Sequence, residues 1–186
     1  MSKLGKKPIS ILSGVEIKEE EKTVRIKGPK GEMVLELPHI ISLEIDKKNN
    51  QIKVLRRGNS AKSKQLHGTY RSLIGSAILG VDAGFNKSLI FKGVGYRVEV
   101  NDRKLILNIG YSHSIEFDIP EGIEIAVDGE KIKVSGIDKQ AVGEVAAKIR
   151  KIKIADAYKG HGLRYANEKL RLKPGKAAAK GAEESK

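Results

Sequence analysis

The chain has 186 residues, of which 52 are Leu, Ile, Val or Phe: enough apolar mass for one domain or two small ones, and too little length for a large multidomain enzyme. It contains no Cys, which excludes a disulfide framework, a thiolate nucleophile and a Cys-ligated zinc, and fits a reducing compartment. Lys and Arg number 36 against 23 Asp and Glu, a net charge of +13, so a polyanion is the expected partner, either nucleic acid or an anionic membrane surface.

The basic start leads into no signal-peptide core, and apolar runs such as Ile9 to Leu12 fall far short of the roughly 20 residues that cross a bilayer. A soluble protein that stays where it is made is expected. Val15-Glu16-Ile17 reads as a short strand, with the acidic run Glu19 to Glu21 in the turn that follows. From Gly31 to Pro38 the chain alternates, Met33, Leu35 and Leu37 on one face and Glu32 and Glu36 on the other, a half-buried strand stopped by proline. Ile52-Lys53-Val54 is a further strand. Leu66, Tyr70, Leu73 and Ala77 then fall at helical spacing, and Gly84 lies where a C-cap or linker is needed.

The same order then repeats. Val98-Glu99-Val100 matches the first strand; Ile115, Phe117 and Ile119 alternate with Ser114, Glu116 and Asp118 before Pro120, 82 positions after Pro38; Ile132-Lys133-Val134 matches Ile52 to Val54. Gly28 and Gly110 each precede their proline by ten positions. Asn101-Asp102 and Asp128-Gly129 read as hairpin turns. Asp138 suits an N-cap, and Val142, Val145, Ala146 and Ile149 form the stripe of a second amphipathic helix. The expected fold is therefore α+β: two duplicated small domains, each a mainly antiparallel sheet packed with one helix, over residues 1–82 and 83–176, with a basic extension and a disordered tail at 177–186.

No constellation of catalytic type emerges. His39, His67, His113 and His161 are scattered singly, which argues against a metal centre or a cofactor held by them. Gly93-Val94-Gly95 begins like a dinucleotide fingerprint, but Val98 stands where the third glycine belongs and the segment continues as a strand. Gly175-Lys176 lacks the upstream Gly and the following Ser or Thr of a phosphate loop. An RNA-modifying or RNA-cleaving enzyme would need a pocket with a perturbed acid or base, and no motif supplies one.

Charge is concentrated instead. Lys148 to Lys176 holds ten Lys and Arg against Asp156 and Glu168 only. Lys151-Ile152-Lys153-Ile154 alternates, which reads as an extended segment with apolar groups inward and ammonium groups outward. It enters Tyr158-Lys159-Gly160-His161-Gly162, where two glycines allow a backbone to approach a phosphate or base and Tyr158 and Tyr165 offer stacking faces. Lys159 and Arg164 add cationic donors, and this mixture favours RNA over a membrane, which would call for an amphipathic helix. An internal turn made by Gly160 and Gly162, with both tyrosines packed down, is the alternative reading.

FKGVGYRVEV at 91–100, LNIGYSHSIEFDIPEGI at 107–123, the stretch from Gly136 to Tyr165 and the closing Lys173-Pro174-Gly175-Lys176 resemble the bacterial large-subunit ribosomal protein six family, from about Leu4 to Lys176. The resemblance implies two duplicated α+β domains, no enzymatic activity, no cofactor, metal or small-molecule substrate and no membrane. It implies 23S ribosomal RNA and neighbouring large-subunit proteins as partners, near the stalk base and translation-factor site, and cytoplasmic localisation within the large ribosomal subunit. The RNA-binding set becomes Lys92, Gly93, Gly95, Tyr96, Lys151, Lys153, Tyr158, Lys159, Gly160, His161, Gly162, Arg164, Tyr165, Arg171, Lys173 and Lys176, with Lys3, Lys6, Lys7, Lys62, Lys64, His67 and Arg71 as secondary RNA or protein contacts. Asp156, Tyr158, Lys159, Gly160, Gly162 and Leu163 agree with the family signature, whereas Ala155 replaces a proline and His161 a lysine. The first change loosens the corner, and the second supplies full charge only at lower pH.

Overall fold

A computed structural model describes residues 5–20, 22–46 and 49–175. Lys3, Glu21, Lys176 and the 177–186 tail, on which expectations fell, lie outside them. Two compact units form, one gathering the chain up to Phe85 together with Gly136–Lys139, the other Asn86–Ser135 and the described chain from Gln140 onward. The sequence places a single boundary at 82–83; the return of Gly136–Lys139 to the first unit follows from Ile137, which packs against that unit's buried cluster.

In the first unit the chain runs β1 (Ile9–Ser10), β2 (Glu16–Glu20), β3 (Thr23–Gly28), β4 (Gly31–Glu36), β5 (Ile41–Asp46), β6 (Gln51–Arg56) and α1 (Ala61–Asp82). The strands form two three-stranded sheets, β2-β3-β4 and β1-β6-β5, rather than one, and every pair is antiparallel. The reason for two sheets is local. Pro38 ends the alternation begun in β4, and the Ile41 amide closes a turn on the Pro38 carbonyl at 2.8 Å, sending β5 away from its predecessor. Helix α1 covers β3, β4, β5 and β6. Its N-terminus is capped by Ser60, whose side chain accepts the Ser63 amide at 3.1 Å. At the other end Gly84, at φ +72°, donates its amide to the Gly80 carbonyl at 3.0 Å, the left-handed stop that only glycine adopts without strain.

The second unit repeats this plan with β7 (Phe85–Lys92), β8 (Arg97–Asn101), β9 (Lys104–Asn108), β10 (Ile115–Asp118), β11 (Ile123–Asp128), β12 (Lys131–Gly136), α2 (Lys139–Ile152) and β13 (Gly162–Tyr165). Its sheets are β8-β9-β10 and β11-β12-β7-β13, so β7 takes the place of β1 and β13 is an addition with no counterpart in the first unit. The duplication extends to single hydrogen bonds. Leu37 N–H to Lys22 O, at 2.7 Å, recurs as Ile119 N–H to Arg103 O at 2.8 Å; Ile11 N–H to Asn50 O, at 2.8 Å, recurs as Phe91 N–H to Glu130 O at 3.0 Å. Matched strand positions are matched in burial too: Ile52, Val54, Ile132 and Val134 are all core residues.

Some local readings shift. Glu19 and Glu20 pair with Val24 and Thr23 inside the β2–β3 ladder instead of standing in the turn. The 101–104 hairpin turns on Asp102-Arg103, with Asp102 at φ +51°, because Asn101 already pairs with Lys104. In α1 the buried face runs through Ser63, His67, Ile74, Ala77, Ile78 and Val81, about one residue round from the expected stripe; Leu66 and Tyr70 are half-buried at its margin. The stripe on α2 is buried as expected, at Val142, Val145, Ala146 and Ile149.

Candidate nucleic-acid interface

β13 is the frame of the basic segment. It pairs antiparallel with β7, Gly162 opposite Lys92 and Tyr165 opposite Leu89, and Leu163 is wholly buried. Between α2 and β13 the chain makes a compact loop. Asp156 organises it: its Oδ2 accepts the amides of Tyr158 at 3.1 Å and Lys159 at 2.9 Å, its carbonyl accepts the Gly160 amide at 3.0 Å, and its own amide donates to the His161 carbonyl at 2.9 Å. The Lys159 amide, then that of Tyr158, holds the Asp156 carboxyl below the usual carboxylate range. An Asp two and three residues before the amides it binds is a turn signal readable in sequence, though Asp156 was not among the expected site residues.

The two loop glycines serve the fold. Gly160 is buried at φ +71°. Gly162, at φ +137°, is so close to the preceding chain that an added Cβ would lie 2.7 Å from Ala155 Cα and 2.8 Å from the Ile154 carbonyl carbon. The close approach that glycine permits here is to the protein's own backbone, in favour of the internal-turn reading.

The expected cations separate into two groups. Lys151 and Ile152 close α2 rather than opening an extended segment, Ile154 is exposed, and Lys153 turns inward. Helical phase at 151–152 reverses the pattern that simple alternation suggests. Lys153 Nζ donates to the Ile109 carbonyl at 2.6 Å and sits 4.7 Å from the centre of the Tyr111 ring and 5.2 Å from that of Tyr96. Lys148 pairs with Glu144 at 2.7 Å. Arg150 engages Glu168 through two bonds, of 2.6 and 3.0 Å, holding the Glu168 carboxyl low and raising its own guanidinium pKa. Arg150 and Lys87 also lie within 5.6 and 5.8 Å of the Tyr165 ring, which is half-buried and so is not the free stacking face expected of it. Arg164 is half-buried, its Nε without a partner.

What remains available is Lys92, Lys151, Tyr158, Lys159, Arg171 and Lys173, all exposed, with His161 half-exposed and the Lys173 amide tied to the Ala157 carbonyl at 2.8 Å. None of these lysines and arginines forms an ion pair among the described residues. Gly93, Gly95 and Tyr96 form the β7–β8 turn; Gly95 is at φ +74°, and a Cβ on Gly93 would strike the Tyr96 ring. In the first unit Lys6, Lys7, Lys62 and Lys64 are exposed, and Arg71 is half-buried with Nε directed to the Lys7 carbonyl at 3.4 Å. His67 is a core residue, 5% exposed, its Nε2 2.8 Å from the Val54 carbonyl, so its side chain faces the interior and not the surface expected of it. The difference follows from the phase of α1, since a stripe through Leu66, Tyr70 and Leu73, one residue round, puts position 67 outside.

Exposed apolar groups collect on the same segments. Of eight large apolar side chains exposed among the described residues, five belong to the second unit: Val94, Tyr111, Ile154, Tyr158 and Leu172. The alternation at 151–154 conceals this for Ile154, which it turns inward. No group of three or more His, Asp or Glu side chains that could hold a metal ion occurs among the described residues, and no described helix is long and apolar enough to cross a membrane.

Two copies of one α+β unit, the second extended by a strand and a basic, aromatic loop, define a duplicated scaffold protein whose chemistry lies on its surface. The family model for ribosomal protein L6 matches residues 11–84 and again 92–166. The large ribosomal subunit protein uL6 of Persephonella marina is 49% identical over 181 residues, covering 97% of this chain and 100% of that protein. Those of Thermoanaerobacter sp. and Caldicellulosiruptor saccharolyticus are 46% and 48% identical over 182 residues, covering 97% of this chain and 100% and 99% of theirs. The chain belongs to the ribosomal protein L6 family, which is structural and not enzymatic.

Proposed function

We propose that the protein is a structural constituent of the large ribosomal subunit that binds 23S ribosomal RNA near the stalk base and translation-factor site and so supports subunit assembly and translation. The observation that carries this reading is the coincidence, in the second unit, of unpaired cations with exposed apolar and aromatic groups. Lys92, Lys151, Lys159, Arg171 and Lys173 supply charge for phosphates, while Tyr158, Ile154 and Leu172 supply faces for bases and riboses. An assembly with a purely solvated basic surface would not leave large apolar groups beside its lysines. The names of the relatives support the large subunit as the assembly; the family resemblance supports the RNA and its region. The first unit, with Lys6, Lys7, Lys62, Lys64 and Arg71, contributes secondary contacts.

Sedimentation of cell lysate at moderate and at low magnesium tests the assembly: the protein should follow the large subunit in both. Crosslinking within isolated subunits tests the place, with 23S nucleotides and stalk-base proteins as expected products. Recovery in the soluble fraction, or crosslinks confined to a distant region, would overturn the corresponding part.

A further inference from the structure

Val94 is 92% exposed, the most exposed large apolar side chain described, and it stands at the tip of a turn rather than in a loose segment. Gly93 and Gly95 flank it, so no other side chain screens it, and the exposed Lys92 and Arg97 stand on either side of the turn. The turn is held from beneath. Tyr96 donates its amide towards the Gly93 carbonyl at 3.4 Å, and its ring lies against Gly93 and on the Lys153 ammonium. Lys153 is itself fixed by the Ile109 carbonyl and the Tyr111 ring, and Tyr111 Oη donates to the Ile152 carbonyl at 2.8 Å. Gly110, at φ +77°, leaves the space this ammonium occupies, since a Cβ there would lie 3.2 Å from Nζ.

We infer that the Gly93-Val94-Gly95 turn is a preset apolar tip that seats against a ribose or base face of the bound RNA, between phosphates met by Lys92 and Arg97, and that Lys153 positions it. The inference rests on the RNA-binding reading above. An ordered apolar tip loses little conformational freedom on docking, and flanking cations favour a polyanion over an apolar protein pocket. Lys153 then acts within the protein, through Tyr96, and not as a phosphate ligand.

Salt dependence separates these roles, because each phosphate contact contributes roughly −0.7 to −0.9 to the slope of log K against log salt. The full chain and its variants would be titrated with 23S ribosomal RNA over a range of salt, with thermal unfolding of each free protein. Val94→Ser should melt as the parent does and bind several-fold more weakly with an unchanged slope, whereas Lys92→Gln should flatten the slope by about one contact. Lys153→Met should weaken binding with the parental slope, and Lys153→Arg, which preserves charge, the hydrogen bond and ring stacking, should restore it. A flatter slope in Lys153→Met would overturn the positioning role, and should that variant not fold, loss of affinity in a well-folded Lys153→Arg would do the same. Unaltered affinity in Val94→Ser would overturn the tip, and if that variant instead failed only to enter reconstituted subunits, a protein would be its partner. A parent chain with no affinity for 23S RNA would overturn the RNA-binding reading itself.

Discussion

Gly162 carries a prediction that its neighbours do not share. It is buried, paired with Lys92 and pressed on the Ala155 backbone, so Gly162→Val should lower stability by about 3 kcal/mol or more, through overpacking against atoms that cannot move and a left-handed φ. Gly160 has open van der Waals distances, the nearest 3.4 Å to Leu170, and only its φ of +71° resists a side chain, so Gly160→Ala should cost about 1 kcal/mol. Thermal unfolding of the two variants orders them. Glu168 makes a second residue-level prediction. Its folded carboxyl lies below the unfolded reference of about 4.3, first because of the Arg150 hydrogen bonds; its contribution is therefore complete above that pH and disappears as pH falls through the folded value. Glu168→Gln should lose about 1 kcal/mol at pH 7, and the difference from the parent should shrink as pH falls below the unfolded reference and through the folded value, measured by denaturant unfolding across that range.

At the scale of elements, α1 sits on its sheets through small residues as much as large ones. Gly80 is buried, and the Ile137 carbonyl oxygen occupies the place a Cβ would take, leaving no room for a methyl group. Gly80→Ala should cost about 2 to 3 kcal/mol although alanine is the better helix former, and the loss should appear in the unfolding midpoint. The half-buried Gly75 has nothing within 4 Å of its Cβ site, so Gly75→Ala should stabilise by up to about 1 kcal/mol and serves as the comparison within one helix. The strands β4 and β10 were legible in sequence because each is half-buried, and the period of two then appears directly as Met33-Leu35-Leu37 or Ile115-Phe117-Ile119. The phase of α1 was less legible: its 22 residues are weakly polarised, with Ser63, His67 and Gly80 inside and Leu79 half-exposed, so hydrophobicity alone points one residue away.

For the whole molecule, charge predicts where RNA affinity resides. Of the cations between Lys148 and Lys176, the structure commits Lys148, Arg150 and Lys153 to internal partners and leaves Lys151, Lys159, Lys169, Arg171 and Lys173 exposed. With Lys92 added, the proposed RNA binding would use about six phosphate contacts, and the log–log salt slope for 23S RNA should then lie near −4. Neutralising Lys159, Arg171 and Lys173 together in the full chain should flatten that slope by about two units, and neutralising Lys6, Lys62 and Lys64 by less. The return of Gly136–Lys139 to the first unit makes whole-chain variants the sound comparison, since a cut near residue 82 would remove part of that unit's packing.

Duplication, fold class and the basic character of the C-terminal half were determined by sequence alone, because each rests on periodicity, spacing or a sum of charges, and none requires knowing which residues meet. Which cations are free was decided by tertiary structure. Lys151, at the end of α2, and Lys153, just past it, look alike in the chain, yet one reaches solvent and the other closes on a carbonyl and two tyrosine rings contributed by residues 96, 109 and 111. Gly162 likewise reads as a place for a ligand until the fold brings Ala155 against it. Partners that arrive from distant parts of the chain leave no local pattern, and charge and glycine acquire their roles only when those partners are in place.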